Sequence, residues 1–308
     1  MTDFSIGVDL GGTNLRAAAV DRNGKMLKKI SGSTDLKAGR DAVINDMVEA
    51  INQLKSDNSS LRLAGVGIGV PGFIQIDKGI ILGSNNLPEF DGFPVRDEIE
   101  RHLGTQVILE NDANAAALGE KWIGAGTHVR DLVLLTLGTG IGGGIISAGK
   151  VLHGQDGMAG ELGHMTVVPN GNPCGCGNYG CLEKYASAIA IVSMARMLNL
   201  ADNPTSEDVY HMAVAGNPKA KMIFHTMGSS LGIGLATLIN IFNFPLFLLS
   251  GGVLAAWEQF APAMLEEVEK RSFTYRNSKT TITKATLGNE AGLYGAAHLP
   301  MQHSFPNL

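Results

Sequence analysis

A strand, a glycine-rich turn and a second strand occur twice in this chain, once near the start and once near the middle. Phe4–Asp9 and Leu15–Asp21 are apolar runs joined by Leu10-Gly11-Gly12-Thr13-Asn14. Leu132–Leu137 and Ile145–Ser147 flank Gly138-Thr139-Gly140-Ile141-Gly142-Gly143-Gly144. A lone hairpin cannot bury its apolar face, so each must be completed by further strands and helices. The spacing after the first hairpin predicts a strand at Met26–Ser31, entered through the Asn23-Gly24 turn, and then an amphipathic helix over Asp41–Lys55. A strand at Leu61–Val70, a helix at Val95–Leu103, a strand at Gln106–Leu109 and a helix at Ala113–Trp122 follow. After the second hairpin, helices are expected at Tyr185–Leu198, Ser206–Ala215 and Pro218–Phe242. A strand at Leu246–Leu249, a helix at Val253–Arg271, a strand at Ile282–Leu287 and a helix at Glu290–Leu299 complete the pattern. Two α/β modules that open alike predict a two-lobed α/β architecture with a cleft between the lobes.

Glycine is the outlier in composition. It supplies 40 of 308 residues, about 13% against an average near 7%. In Leu61–Val70 it alternates with apolar side chains, which leaves one strand face bare for another backbone to lie against. With 44% hydrophobic and 17% charged residues the chain has material for two cores. Its net charge of −5 includes no basic block, which argues against nucleic acid as a partner. The apolar stretch Leu231–Leu249 contains Asn240, Asn243 and Pro245, and so reads as a buried helix followed by a buried strand, not as a membrane span. Met1-Thr2-Asp3 leads straight into a strand without a secretory signal pattern, and a cytoplasmic location is expected.

All three cysteines lie in Cys174-Gly175-Cys176-Gly177-Asn178-Tyr179-Gly180-Cys181, ten residues after Gly160-Glu161-Leu162-Gly163-His164. Three thiols and one imidazole form a four-ligand set suited to a structural Zn²⁺: His164, Cys174, Cys176 and Cys181. A disulfide with one thiol left over is the alternative, disfavoured in a reducing compartment. Glu161 and Glu183 flank the ligands, where a metal clip would fix two carboxylates and an imidazole together.

Asp9, Gly11, Gly12, Thr13 and Asn14 can present backbone and hydroxyl donors to a phosphate, with Asp9 able to ligate Mg²⁺. Alone, such a hairpin is more often just a turn. A second loop of the same chemistry at Gly138, Thr139 and Gly140, and a third at Gly251 and Gly252 before a helix, make a polyphosphate ligand the better reading. Neither hairpin turn is a Walker loop, since no Gly-Lys-Ser/Thr follows. Glu110-Asn111-Asp112-Ala113 joins a strand to an alanine-rich helix. Either Asn111 or Asp112 can cap that helix, and only in the first case is Asp112 available as a catalytic carboxylate.

Together these motifs resemble the ROK family of repressors and sugar kinases, within the hexokinase and actin superfamily, over nearly the whole chain. The cysteine segment with Glu161-Leu162-Gly163-His164 is the most specific match. The resemblance implies an actin-like ATPase (ribonuclease H-like) fold, with a small lobe of residues 1–112 plus about 295–308 and a large lobe of 113–294. It implies ATP- and Mg²⁺-dependent phosphorylation of a hexose at its 6-hydroxyl, D-glucose first. N-acetylmannosamine, N-acetylglucosamine and fructose are the alternatives, and a sugar-responsive repressor or non-catalytic ATPase a remote one. Asp112 would be the base. Gly72, Asn86, Asn111, Glu161, His164 and Glu183 would bind the sugar, Zn²⁺ would be structural, and the protein would form a homodimer or higher homo-oligomer.

Overall fold

The computed structural model describes residues 3–12, 14–34, 36–84 and 87–304. The first stretch of chain forms β1 (Asp3–Leu10), β2 (Asn14–Asp21), β3 (Met26–Ser33), α1 (Arg40–Asp57) and β4 (Arg62–Val70). It continues through β5 (Phe73–Gln75), β6 (Ile80–Gly83), α2 (Val95–Leu103), β7 (Val107–Asn111) and α3 (Asp112–Ile123). Then come β8 (Leu132–Leu137), β9 (Ile141–Ser147), β10 (Lys150–Val151), α4 (Glu183–Ala186), α5 (Ala188–Met197), α6 (Ser206–Val214) and α7 (Pro218–Phe242). The last elements are β11 (Leu246–Ser250), α8 (Trp257–Arg271), α9 (Phe273–Asn277), β12 (Thr281–Lys284) and α10 (Ala291–Ser304).

Two five-stranded sheets, ordered β3-β2-β1-β4-β7 and β10-β9-β8-β11-β12, repeat one topology, and β5 pairs with β6 in a separate hairpin. In the first sheet β1, β2 and β3 are antiparallel while β4 and β7 run parallel to β1. In the second, β11 lies parallel between β8 and β12. The twice-repeated hairpin in the sequence thus marks the start of each sheet. The fold is the actin-like ATPase fold expected.

The chain divides into two compact units. One comprises Met1–Arg130, Gly144–Gly160 and Thr286–Leu308, the other Asp131–Gly143 and Glu161–Ala285. Beside the expected lobes, the first unit also takes in residues 144–160, 286–294 and 113–130, in the last of which α3 packs on α10. Gly119 and Gly295 face each other there: a Cβ on Gly295 would lie 2.9 Å from Gly119 N, and one on Gly119 3.0 Å from Gly295 N. Glu120, fully buried, closes the same corner by accepting from Ala125 N (2.8 Å), Thr286 N (3.0 Å), Thr286 Oγ1 (3.2 Å) and Leu287 N (2.7 Å). A buried carboxylate is tolerable only when so supplied with donors. Those bonds also explain why the expected strand Ile282–Leu287 ends early: Ala285 N still donates to Leu249 O of β11 (2.8 Å), but the amides of Thr286 and Leu287 turn to Glu120.

The bare face expected on Leu61–Val70 is real. A Cβ on Gly67 would lie 2.8 Å from the carbonyl carbon of Ala296, and one on Gly7 of β1 would lie 2.7 Å from Ala297 N, both in α10. Gly69 faces the start of α3, with ideal Cβ distances of 3.5 Å to Ala115 Cβ and 3.8 Å to Asp112 Cα. On the other face of the sheet, Ile6, Val8, Ile68 and Leu109 join Met47, Ile51 and Leu54 of α1 in one apolar core.

Other expectations needed local revision. The helix expected over Tyr185–Leu198 is two helices, because Ser187 leaves helical geometry and its hydroxyl caps α5 at Ala190 N (3.1 Å). The helix expected from Val253 begins at Trp257, after a 3₁₀ turn over Gly252–Ala256. Among the described helices α7 is long and apolar enough to cross a membrane, and 67% of its most apolar window is buried. It ends as read from the sequence, at Asn243 in left-handed geometry (φ 49°) just before Pro245.

A methyl group on Gly67 would meet main-chain atoms that cannot rotate away. Gly67→Ala is therefore expected to lower unfolding free energy by about 1–3 kcal/mol, read as a lower denaturant midpoint. An unchanged midpoint would mean that α10 is not seated on this strand.

Candidate active site

The turn from β7 into α3 carries the candidate base. Asn111 is the helix cap: its side-chain oxygen accepts from Ala113 N (2.9 Å) and Asn114 N (3.2 Å). The choice left open by the sequence is thereby settled in favour of Asn111. Asp112 sits exposed at the first helical position, with Oδ1 accepting from Ala113 N (2.8 Å). Negative charge is favoured there by the helix dipole. Asn111 Nδ2 donates to Gly72 O (3.2 Å), which brings the candidate sugar residues Gly72, Asn111 and Asp112 together in the first unit. Gly72 has φ 115°, a left-handed value, and a Cβ there would come within 2.8 Å of Ser84 Cβ, so only glycine fits. Asn86 and Thr13 lie outside the described residues.

The first glycine turn is closed by Gly11 N donating to Asn14 O (2.8 Å). Asp9 stands at the end of β1 in an ion pair with Arg16, whose other guanidinium nitrogen donates to Asn289 O (2.6 Å). Burial raises the Asp9 carboxyl above its ordinary value, opposed by the Arg16 charge and hydrogen bond. A bound cation would favour the ionised form. Arg16 was not singled out in the sequence; its place two residues beyond the turn, on the strand paired to Asp9, was the available signal.

In the second unit, Gly138 N donates to Gly140 O (3.0 Å) and Gly138 O accepts from Ala188 N (2.9 Å). Gly138, Thr139 and Gly252 line a cavity of about 430 Å³ whose apolar walls include Ile191, Tyr210 and Phe224. Two of the three candidate nucleotide loops thus meet at one cavity. Gly251 has φ 99°, and a Cβ on it would lie 2.8 Å from Leu137 N, so the third loop turns directly over the end of β8.

The expected metal ligands come together. The donor atoms of His164, Cys174, Cys176 and Cys181 all lie within 4.8 Å of one another. Cys174 Sγ is 3.5 Å from His164 Nδ1, and Cys176 Sγ is 3.7 Å from Cys181 Sγ. Tetrahedral Zn²⁺ with metal–sulfur bonds near 2.3 Å requires ligand separations of about 3.3–3.8 Å, a range that the His164–Cys174 and Cys176–Cys181 pairs meet, so the donor set could hold the ion. The three cysteines are free thiols, and the disulfide alternative is not the arrangement found. Burial and the neighbouring thiols push Cys181 up to about 12, whereas a backbone hydrogen bond at Asn178 lowers Cys176.

The imidazole of His164 places Nδ1 toward the thiols and Nε2 toward Glu161, 3.8 Å from Oε2. Burial, and secondarily the Glu183 charge, raise the Glu161 carboxyl, while His164 opposes the shift. Glu183 opens α4, and its Oε2 accepts from Ile141 N (2.9 Å) at the edge of the second glycine turn. Glu161, His164 and Glu183 are therefore one polar cluster joined to the metal-ligand loop and to Gly140.

Residues 5–303 match the profile of the ROK family. A glucokinase from Thermotoga maritima is 39% identical over 307 residues, covering 96% of each chain. Among solved structures, a ROK hexokinase from Thermus thermophilus superposes with a TM-score of 0.89 at 36% identity, over 97% of this chain and 99% of that one. A ROK family glucokinase from Streptomyces griseus, solved with glucose and AMPPNP, gives a TM-score of 0.80 at 33% identity over the same shares. The chain belongs to the ROK family.

Proposed function

We propose that this protein is an ATP- and Mg²⁺-dependent hexokinase that phosphorylates D-glucose at its 6-hydroxyl. The observation that carries the reading is the β7–α3 turn, where Asn111 takes the capping role and Asp112 stands exposed at the helix start. The full-length similarity to glucokinases supports glucose over the other hexoses.

In the mechanism, Asp112 accepts the proton of the sugar 6-hydroxyl as that oxygen attacks the γ-phosphorus. The bond from the γ-phosphorus to the β,γ-bridging oxygen breaks, and ADP leaves with that oxygen. A positioned general base contributes about 10²–10⁴-fold. Gly72, Asn86, Asn111, Glu161, His164 and Glu183 bind the remaining sugar hydroxyls. The glycine turns at Gly11, Gly12, Thr13 and Asn14 and at Gly138, Thr139 and Gly140 bind phosphates. Gly251 and Gly252 border the base and ribose. Asp9 would hold the Mg²⁺ that accompanies ATP, which would supply neutralisation of phosphate charge. His164, Cys174, Cys176 and Cys181 would hold a structural Zn²⁺, which would fix the His164 ring whose Nε2 faces Glu161. The apolar cavity bounded by Gly138 and Gly252 suits a heterocyclic donor better than polyphosphate. Free thiols at the metal site suit a cytoplasmic location. The resemblance proposes a homodimer or higher homo-oligomer.

With ATP and Mg²⁺, glucose is expected to give the highest kcat/KM in a panel with mannose, fructose, N-acetylglucosamine and N-acetylmannosamine. Absence of ADP formation with every sugar would overturn the reading. Asp112→Asn is expected to bind glucose in calorimetry while kcat falls by at least about a hundredfold; near-normal turnover would remove Asp112 as the base. Metal analysis is expected to find one Zn²⁺ per chain, lost in Cys176→Ala together with part of the glucose affinity. Purified protein without zinc, yet with full sugar affinity, would contradict the structural role.

A further inference from the structure

Behind the β7–α3 turn lies a hydrogen-bonded pair that none of these roles uses. Glu110, the residue before Asn111, is 2% exposed. One of its carboxylate oxygens, Oε1, accepts from Asn111 N (2.9 Å) and from Asn114 Nδ2 (3.1 Å), one turn into α3. The other, Oε2, lies 2.6 Å from His153 Nε2. A carboxylate only accepts, so the imidazole donates from Nε2. His153 belongs to the same compact unit and follows β10, and its carbonyl accepts from Ala159 N (3.0 Å), which closes the loop on which it stands. A single buried carboxylate therefore gathers three donors: the amide of the helix cap, a side chain inside the helix, and an imidazole from a segment about forty residues later.

We propose that His153 and Glu110 are positioning residues for phosphoryl transfer: His153 holds the Glu110 carboxylate, and Glu110 fixes Asn111 and the helix start that carries Asp112. The proposal rests on the reading of Asp112 as the base. With the His153 side chain 35% exposed and only Glu110 buried, such a pair adds little net stability, so its value lies in the geometry it enforces. The hydrogen bond that His153 donates to Glu110 raises the imidazole above its ordinary value and so favours the charged donor, while burial opposes the shift. The groups held are those whose placement matters most, since an error of about 1 Å at a reacting atom costs on the order of a hundredfold in rate.

The test compares His153→Ala, His153→Gln and Asp112→Asn in the full-length protein, with turnover normalised to glucose-binding sites counted by calorimetry. His153→Ala is expected to lower kcat roughly ten- to a hundredfold, with KM for ATP within about twofold of wild type. His153→Gln, whose amide can donate to Glu110, is expected to recover most of that loss. Full turnover per binding site in His153→Ala, even with a lowered melting temperature, would overturn the proposal. So would an equal loss in His153→Gln, because donation to Glu110 would then not be what matters. Asp112→Asn separates this inference from the reading beneath it. Wild-type turnover there overturns both, whereas an inactive Asp112→Asn beside a fully active His153→Ala overturns the positioning role alone.

Discussion

Main chain lying on main chain, with no side chain between, is the contact on which the first unit depends. Gly7 and Gly67 strip one face of β1 and β4 so that α10 can rest directly on the sheet. Gly119 and Gly295 allow α3 and α10 the same closeness, and Gly69 seats the start of α3 on β4. Ordinary helix packing leaves 8–10 Å between axes, with rotamers taking up slack. Here the slack is gone, so the position of Asp112 follows from backbone geometry. The proposed base, carried on such a support, would need little further ordering when substrate arrives.

The second unit reaches a comparable rigidity through polar bonds. Glu183 accepts from Ile141 N, Ala188 N donates to Gly138 O, and Leu182 N donates to Met165 O (2.8 Å). The second glycine turn, the loop holding the metal ligands and the start of α4 are in consequence one hydrogen-bonded piece. A divalent ion at His164 and the three cysteines would add a further tie within it. That would explain why the candidate sugar ligands Glu161, His164 and Glu183 sit beside a cysteine cluster to which the proposed mechanism gives a structural role only.

Much of this was legible in the sequence because the signals are local. The alternation in Leu61–Val70 announced a bare strand face, the repeated hairpins announced two α/β modules that open alike, and the spacing of the thiols announced their convergence with His164. The roles of Asn111 and Asp112 were not legible, since both residue types cap helices and only the backbone angles decide. Ser187 was missed as a cap because it interrupts an unbroken apolar run. The short hairpin of β5 and β6 was too brief to show a period. Glu110, Glu120 and His153 were passed over for another reason. Their meaning depends on partners far away in the chain, such as Thr286 for Glu120, and no spacing rule reports such pairs.

The account holds that this geometry delivers a phosphoryl group to one particular oxygen, and the product can be asked directly. Incubation with ATP, Mg²⁺ and glucose labelled with ¹³C at carbon 6 should give a product whose labelled carbon shows coupling to phosphorus, with ADP formed in equal amount. A phosphorylated sugar lacking that coupling, or ADP released without any sugar phosphate, would contradict it.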